Sequence, residues 1–330
     1  DGIAGVLHRA QGKDVQTGAV EGRGLGDGRN AEAGIQLLAL SHVFVSHAHM
    51  DHFAGFDRLL RVALGRDRTF RLVGPAGFAD RVAHKLGGYT WNLVANYTND
   101  LCLEVTEVPA SGAGKRARFR VRNAFAREDL PPADLTGGRL VAESGLRVHT
   151  TVLDHRTPCL AFALAEPDHL NIWGNRLRER GLSPGPWLAT LKELVRQGAP
   201  DDRPVTVAWQ DPAGRPATLP LGELRDRLIS RSRGQKVAYV VDARYSAADG
   251  DRIVALAAGA DRLYIEAAFR EADADRAAAT CHLTARQAGE LARRAGVREM
   301  VPFHFSSRYE GHFRALEQEA LAAFRPSRPG

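Results

Sequence analysis

The chain has 330 residues, of which 44% are hydrophobic and 25% are charged. This balance is typical of a globular protein and excludes a wholly disordered, collagenous or coiled-coil chain. No apolar run reaches the ~18–20 residues that span a membrane, and no signal peptide opens the sequence, so we expect a cytoplasmic protein with no membrane partner. Three widely separated cysteines predict reduced thiols, and the net charge of +6 permits a polyanionic partner such as RNA without requiring one.

Residues 1–36 are predicted to be a poorly defined, Gly-rich N-terminal segment. Nine glycines fall within residues 1–35, and such a density favours loop over packed strand. From Leu37 onward, short apolar runs alternate with stretches of helical spacing, which is typical of an α/β layer protein. The runs that predict strands are 43–45, 70–73, 101–108, 117–121, 146–153, 160–164, 237–241, 263–266 and 300–305. The stretches that predict helices are 53–64, 77–86, 187–197, 248–258, 284–295 and 311–324.

Residues 166–235 differ in composition from the rest of the chain. They hold most of the prolines that follow residue 150, and the α/β alternation returns only at Lys236. We therefore expect one domain over residues 37–330 that carries 166–235 as an inserted arm.

The strongest chemical signal is the run from His47 to His52, which reads His-Ala-His-Met-Asp-His and directly follows the predicted strand 43–45. Imidazole and carboxylate groups are standard ligands of zinc-like divalent ions. His47 and His49 are two positions apart and can share one ion, whereas Asp51 and His52 can turn to a second. The alternative is a polar helix start with exposed histidines, but four ligand-type residues within six positions favour metal binding.

Three further polar residues stand at the ends of predicted apolar strands, namely His155, Asp242 and His304. Each of them alone is more often a capping or hydrogen-bonded residue than a ligand. Their recurrence in both α/β halves predicts that they supply the remaining ligands of a two-metal site, since strand ends can meet at one edge of a fold.

The run from His47 to His52 resembles the HxHxDH signature of the metallo-β-lactamase superfamily. Within that superfamily, the C-terminal segment resembles ribonuclease Z, the family of tRNA 3′-processing endonucleases. Residues 281–285 read Cys-His-Leu-Thr-Ala and match the family's histidine before a Thr-Ala helix start, and residues 304–309 match its HFSxRY motif in full. The resemblance covers residues 40–325.

The resemblance implies an αββα four-layer sandwich of the metallo-β-lactamase type with an inserted arm. It also implies two divalent metal ions, with zinc expected and Mn²⁺ or Fe²⁺ suited to the same nitrogen and oxygen ligands. One ion would be held by His47, His49 and His155, the other by Asp51, His52 and His304, and Asp242 would bridge both.

The same resemblance implies a reaction and its partners. A hydroxide held between the two ions would hydrolyse the phosphodiester 3′ of the discriminator nucleotide in precursor tRNA. Asp51 would accept the proton of the water, and His282 would contact the scissile phosphate or act as a general acid. Arg308 and Ser306 would contact phosphate. The family also implies a homodimer whose arm binds the tRNA.

Several alternatives stay open from the sequence alone. Met50 stands where the family usually has glycine, and Val241-Asp242-Ala243 replaces the usual Gly-Asp-Thr, so a hydrolase of a small ester, lactone or simple phosphodiester is the second hypothesis. His282 could merely precede a helix that Thr284 caps. Arg308 could pair with a carboxylate instead of a phosphate.

An alternating basic run over residues 115–122 offers a second nucleic-acid contact. As a strand, it would place one set of side chains on one face, Arg116, Arg118, Arg120 and Arg122, and the other set on the opposite face, Ala117, Phe119 and Val121. Four guanidinium groups on one face could meet successive phosphates. The interpretation we favour is an edge strand whose charges are paired by carboxylates.

Overall fold

The structure is a computed structural model that describes residues 6–10, 13–18, 40–143, 145–208 and 217–325. The chain divides into two compact units. The first comprises the described residues of Asp1–Ala165 and Lys236–Gly330, and the second comprises those of Glu166–Gln235. Within these described ranges, no helix is both long enough and apolar enough to cross a membrane.

The first unit contains a seven-stranded sheet. Its strands are β1 (Val6–Ala10), β2 (Lys13–Gly18), β3 (Leu40–Phe44), β4 (Arg68–Pro75), β5 (Leu101–Val108), β6 (Gly114–Arg120) and β7 (Arg127–Ala133). They lie in the order β2-β1-β3-β4-β5-β6-β7. The pairs β3–β4 and β4–β5 are parallel, so the carboxyl ends of these three strands meet at one edge.

The same unit contains a six-stranded sheet. Its strands are β8 (Arg139–Glu143), β9 (Leu146–Asp154), β10 (Pro158–Ala165), β15 (Lys236–Val240), β16 (Arg262–Glu266) and β17 (Glu299–Phe303). They lie in the order β17-β16-β15-β10-β9-β8. The strands β15, β16 and β17 are parallel to one another, which gathers their carboxyl ends as well.

Helices cover the outer faces of the two sheets. The first half of the unit has α1 (Met50–Phe53), α2 (Gly55–Ala63) and α3 (Phe78–Gly87), and the second half has α7 (Ala247–Ala257), α8 (Ala274–Thr280), α9 (Ala285–Arg294) and α10 (Phe313–Phe324). Helix α2 buries Phe56, Leu59, Leu60 and Ala63 at the spacing of one helical face. These side chains share a core with Phe70 of β4 and Phe119 of β6.

A separate group of buried side chains lies between the two sheets. Phe44 and Val73 come from the seven-stranded sheet, and Leu160 and Phe162 come from the six-stranded sheet. The rings of Phe44 and Phe162 are tilted, with centroids 5.4 Å apart. The layer order of helices, sheet, sheet and helices is the αββα sandwich that the sequence predicts, and the fold prediction is confirmed.

The second unit has its own elements and its own buried core. Its strands are β11 (His169–Ile172), β12 (Pro204–Val207), β13 (Ala217–Pro220) and β14 (Ile229–Ser232), and its helices are α4 (Gly174–Glu179), α5 (Trp187–Arg196) and α6 (Leu221–Leu228). Strand β11 pairs with β14, and β12 pairs with β13. Leu182, Leu191 and Leu224 are fully buried among these elements.

The prediction of loop over the N-terminal segment is wrong for residues 6–10 and 13–18. Strands β1 and β2 form an antiparallel hairpin there, and β1 also pairs with β3. The glycines are concentrated after this hairpin, at Gly22, Gly24, Gly26 and Gly28, so the average over the whole segment concealed a locally glycine-poor stretch. Residues 37–39, where order is predicted to begin, lie outside the described residues.

Candidate metal centre

The predicted ligands stand at connections that leave the carboxyl ends of strands. His47 and His49 follow β3, and Asp51 and His52 lie in α1. The other three follow β9, β15 and β17 and are His155, Asp242 and His304. Because these strand ends lie at the same edge of the sandwich, the seven side chains converge although 257 positions separate His47 from His304 (304 − 47).

One group of side chains has the size of a metal site. It consists of His47, His49, His155 and Asp242, whose potential ligand atoms all lie within 4.8 Å of one another. The Oδ2 atom of Asp242 is 3.2 Å from Nε2 of His47 and 3.7 Å from Nε2 of His155. Zinc–nitrogen bonds of roughly 2.0–2.1 Å in a tetrahedron put neighbouring ligands about 3.3 Å apart, which matches these separations.

A second group lies next to Asp242. Asp51, His52 and His304 also bring potential ligand atoms within 4.8 Å of one another. The Oδ2 atom of Asp242 is 3.0 Å from Nε2 of His52, and its Oδ1 atom is 3.1 Å from Nδ1 of His304. Asp242 therefore lies between the two groups, with both carboxylate oxygens next to histidine nitrogens.

Buried polar atoms without hydrogen bonds test whether this site fits a metal. In the described part of the chain, eight buried side-chain nitrogen or oxygen atoms lack a hydrogen bond, and four of them are here. They are Nδ1 and Nε2 of His52, Oδ1 of Asp242 and Nδ1 of His304. Each such atom costs about 1–3 kcal/mol, so this concentration fits residues that bind a cation.

The electrostatics of the site also favour a cation. Burial lowers the pKa of His47 and His49, which keeps both imidazoles neutral, the form that binds metal. Burial alone would raise the pKa of Asp242, but its close contacts with His47 and His52 hold that pKa far below the usual carboxyl range. Burial works to lower the pKa of His304, yet the nearby carboxylates raise it. The anionic centre thus attracts positive charge, whether a proton or a metal ion.

Backbone and side-chain groups hold two of the histidines from behind. The Nδ1 atom of His155 lies 2.8 Å from the carbonyl oxygen of Cys281. The Nδ1 atom of His47 lies 3.2 Å from Oγ of Ser46 and 3.6 Å from Sγ of Cys159. Such contacts on the far nitrogen fix the orientation of a ligating imidazole.

His282 lies beside these groups but is held differently. Its Nδ1 atom is 2.8 Å from Oε2 of Glu266 and 3.6 Å from Oδ1 of Asp242, and its side chain is 17% exposed. Burial lowers the pKa of His282, but the Glu266 carboxylate outweighs it, so the net shift is upward. The ring is therefore held toward its protonated form with its other nitrogen free of Glu266.

Glu266 is the residue that sequence reasoning missed. It ends β16, is fully buried, and accepts hydrogen bonds from the backbone N–H groups of Ala243 and Leu283 at 2.6 and 3.3 Å. Its Oε2 atom also lies 3.7 Å from Nδ1 of His304. The signal was available, since an acidic residue at the end of an apolar strand is the same pattern that singled out Asp242.

Four residues of these connections have left-handed backbone conformations without being glycine. The φ angles are 56° at Arg156, 50° at Asp242, 61° at Cys281 and 58° at His304. Residues other than glycine adopt such angles rarely, and they persist where the surrounding structure over-determines them. Their concentration here shows that the connections are held tightly by their neighbours.

Comparison with known proteins identifies the family of the chain. Ribonuclease Z of Deinococcus radiodurans is 37% identical over 295 residues, which cover 89% of this chain and 84% of that protein. The chain belongs to the ribonuclease Z family. Ribonuclease Z of Thermobifida fusca is 32% identical over 84% of this chain and 71% of its own length. No protein-family model matches the chain.

A solved structure agrees with the fold. The short form of human tRNase Z superimposes with a TM-score of 0.51 and covers 93% of this chain and 87% of its own, at 17% identity. The family membership identifies a metal-dependent hydrolytic enzyme, and the alternative of a small-ester hydrolase is not favoured. The clusters of histidine and aspartate are consistent with divalent metal binding in such an enzyme.

Two residues of the family motif at 304–309 contact a carboxylate of the protein itself. Arg308 Nη1 lies 3.3 Å from Oδ1 of Asp273, and the hydroxyl of Tyr309 donates to the same carboxylate. The carboxylate-pairing alternative for Arg308 is therefore the contact that the structure contains. Ser306 donates its backbone N–H to Ala268 and is half-buried.

The capping alternative at the other family motif is also present. Thr284 caps α9 through a capping box with Gln287, in which each side chain accepts a hydrogen bond from the backbone N–H of the other residue. His282 lies two residues before this cap. Because Thr284 makes the cap and His282 contacts Glu266, the cap leaves His282 available for a chemical role.

The basic run of β6 is paired with carboxylates. Arg118 contacts Glu104 at 3.0 Å and Glu128 at 3.4 Å, and Arg120 pairs with Asp100. The predicted opposite face is fully buried at Ala117, Phe119 and Val121. The alternation and the pairing are confirmed for Arg116, Arg118 and Arg120. They are wrong for Arg122, which lies in a 3-10 helix after the strand and donates to the carbonyl oxygen of Thr98 at 3.0 Å. The description as an edge strand is also wrong, because β7 covers β6.

Proposed function

We propose that this protein is a metal-dependent endoribonuclease that cuts precursor tRNA on the 3′ side of the discriminator nucleotide. The observation that carries the proposal is the convergence of two ligand groups on Asp242 beside the His282–Glu266 pair. The 37% identity to a ribonuclease Z over most of the chain supports the choice of RNA as substrate.

The metal-binding roles follow from the two groups around Asp242. His47, His49 and His155 would hold one ion, Asp51, His52 and His304 would hold the other, and Asp242 would contact both. We assign zinc, because imidazole-rich sites with one or two carboxylates suit it, although Mn²⁺ and Fe²⁺ share these ligands. Two bound divalent ions would supply a nucleophilic hydroxide at neutral pH and neutralise charge on the phosphate.

The protein's own side chains would handle the protons. Asp51 has a 52% exposed side chain next to His52, so its carboxylate can accept a proton from the attacking water. His282 would donate a proton to the leaving oxygen, since Glu266 holds its ring toward the protonated form. Glu266 is fully buried and acts as a positioning residue for that ring.

The partners and location are parts of the same proposal. Residues 166–235 would be the arm that binds tRNA, and in that unit Trp173 is 44% exposed with the guanidinium of Arg176 over its ring at 5.2 Å. Arg308 and Ser306 would lie near the phosphate, with Arg308 shared with Asp273. We infer a cytoplasmic location, because the substrate is a cellular RNA and the three cysteines are unpaired. The homodimer is inferred from the family alone.

Cleavage of a 3′-extended precursor tRNA with mapping of both product ends tests this function. The wild-type protein should make one cut directly after the discriminator nucleotide, and Asp51→Ala should abolish it. Asp251→Ala is the matched control, because Asp251 is also an exposed aspartate but pairs with Arg294 away from the ligand groups. Protein that carries two metal ions per chain and yet leaves the precursor intact would refute the RNA assignment.

A further inference from the structure

Arg244 links two of the connections that form the site. It stands two residues after Asp242, and its backbone N–H donates to the carbonyl oxygen of Asp154 at 2.8 Å. Its Nη1 atom also lies 3.4 Å from Oδ2 of Asp154. Since Asp154 immediately precedes His155, both contacts fix the strand end from which His155 projects.

The other arm of the same guanidinium reaches a third connection. Nη2 of Arg244 donates to Sγ of Cys281 at 3.3 Å. Cys281 precedes His282, and its carbonyl oxygen lies 2.8 Å from Nδ1 of His155. One side chain therefore joins the segments that carry Asp242, His155 and His282.

These segments need such support because their backbone is strained. Arg156 and Cys281 both have left-handed φ angles, a conformation that is unfavourable for residues other than glycine. The turn around His155 has other restraints, since the N–H of Asp154 donates to Oδ2 of Asp249 at 3.3 Å and that of Arg156 donates to Oδ1 of Asp154 at 2.8 Å. Arg244 adds a second link between this turn and Cys281, beside the contact of His155 Nδ1 with the Cys281 carbonyl oxygen.

Arginine suits this task better than lysine. Its planar guanidinium presents several N–H donors in fixed directions, so one group can contact Asp154 and Cys281 at once. Lysine has a single ammonium that rotates and would hold one partner at a time. Removing the link should therefore loosen His155 and His282 together.

We propose that Arg244 is a positioning residue that holds His155 and His282 in place relative to Asp242. The inference rests on the proposed metal centre and goes beyond it, since Arg244 belongs to neither ligand group. It acts through Asp154 and Cys281 and not by contact with the substrate. The competing role is direct contact with a phosphate, since the Arg244 side chain is 42% exposed.

Zinc affinity and RNA cleavage, measured on the same variants, separate these two roles. Arg244→Ala should weaken zinc binding in a chelator competition and lower kcat, each by about 10–100-fold, with KM within about twofold. Arg244→Lys should recover part of both losses. Arg294→Ala is the matched control, because Arg294 is 44% exposed and pairs with Asp251 as Arg244 pairs with Asp154. It should change neither the zinc affinity nor kcat.

Cys281→Ala tests the path through the sulfur. It removes the acceptor of Arg244 but keeps the backbone carbonyl that His155 contacts, so its effect should be smaller than that of Arg244→Ala. The double variant should be no worse than Arg244→Ala alone, because both changes break one chain of contacts. Additive losses would overturn this path.

An Arg244→Ala variant with unchanged zinc affinity and unchanged kcat would overturn the proposal. A raised KM in that variant would assign Arg244 to substrate contact instead. The zinc measurement does not depend on RNA, so it stays decisive even if the wild-type protein fails to cut precursor tRNA. If Arg244→Ala does not fold, the lysine and Cys281→Ala variants test the same link.

Discussion

Replacing Glu266 by glutamine removes a buried charge while keeping nearly the same shape. The amide oxygen can still accept from the N–H groups of Ala243 and Leu283, which both contact Oε1 in the native protein. The amide NH₂ then faces Nδ1 of His282, where Oε2 now stands. His282 would accept at Nδ1 and become a neutral imidazole.

The consequences for stability and for activity differ in size. Bonds to a charged acceptor contribute about 1.5–3 kcal/mol and neutral ones about 0.5–1.5 kcal/mol, and the neutral amide is less costly to bury, so we expect a net loss of about 1–2 kcal/mol in the free energy of unfolding. The loss of the general acid should lower kcat about 10²–10⁴-fold.

The substitution should also change how activity depends on pH. In the native protein, burial lowers the pKa of His282 and the Glu266 carboxylate raises it. The effect of the carboxylate is the larger, so the protonated form of His282 persists to higher pH. Without that carboxylate the pKa falls, and the proton is lost at lower pH. Any residual activity of Glu266→Gln should therefore decline with rising pH earlier than that of the native enzyme.

Single-turnover cleavage of precursor tRNA between about pH 6 and pH 9, with metal content measured on each sample, tests the prediction. Glu107→Gln is the matched control, because Glu107 is also buried and accepts a backbone N–H, that of Ala79. It should lose similar stability and no activity. Native rates and an unchanged pH profile in Glu266→Gln, at full metal occupancy, would refute the role of Glu266.

Three further predictions concern the metal and the packing. Removal of metal by a chelator should abolish cleavage and lower the melting temperature, and added Zn²⁺ should restore both, since a ligand of the native state stabilises it; an unchanged melting temperature would count against a metal-linked fold. Thr284→Ala should cost about 1–2 kcal/mol in urea unfolding, because Thr284 caps α9 and also donates to Glu271 at 2.6 Å. Gly289→Ala should destabilise by about 1–3 kcal/mol despite better helix propensity, because its Cβ would lie 2.2 Å from the carbonyl oxygen of Ala320. Gly87→Ala, which meets nothing within 4 Å, should be neutral or stabilising, and equal effects at the two glycines would contradict the packing argument.

The sequence was most informative where several signals coincide in a short stretch. Four ligand-type residues fall between His47 and His52, and the structure brings them next to His155, Asp242 and His304. Those three could be selected because each ends an apolar strand, and parallel strands gather such ends at one edge. Most helices of the sandwich followed from spacing alone, as the buried face of α2 illustrates, whereas the short helix α8 was not predicted.

The features that were missed depend on contacts distant in sequence. Glu266 is a single acid whose meaning appears only when His282, 16 positions away, contacts it. The hairpin of β1 and β2 was hidden by glycines elsewhere in its segment. Arg308 could not be assigned between phosphate and carboxylate until Asp273 was seen beside it. Pairing partners of this kind are set by the fold and not by local pattern.

The left-handed residues of the site have a consequence for selection under heat. Glycine at Arg156 or Cys281 would relieve backbone strain and, at Cys281, keep the carbonyl that contacts His155. Variants chosen only for thermal tolerance are therefore expected to acquire glycine at these two positions. Glycine at Arg156 would keep the turn, so heat resistance should rise without loss of turnover. Glycine at Cys281 would also remove the sulfur that accepts from Arg244, so that variant should lose turnover.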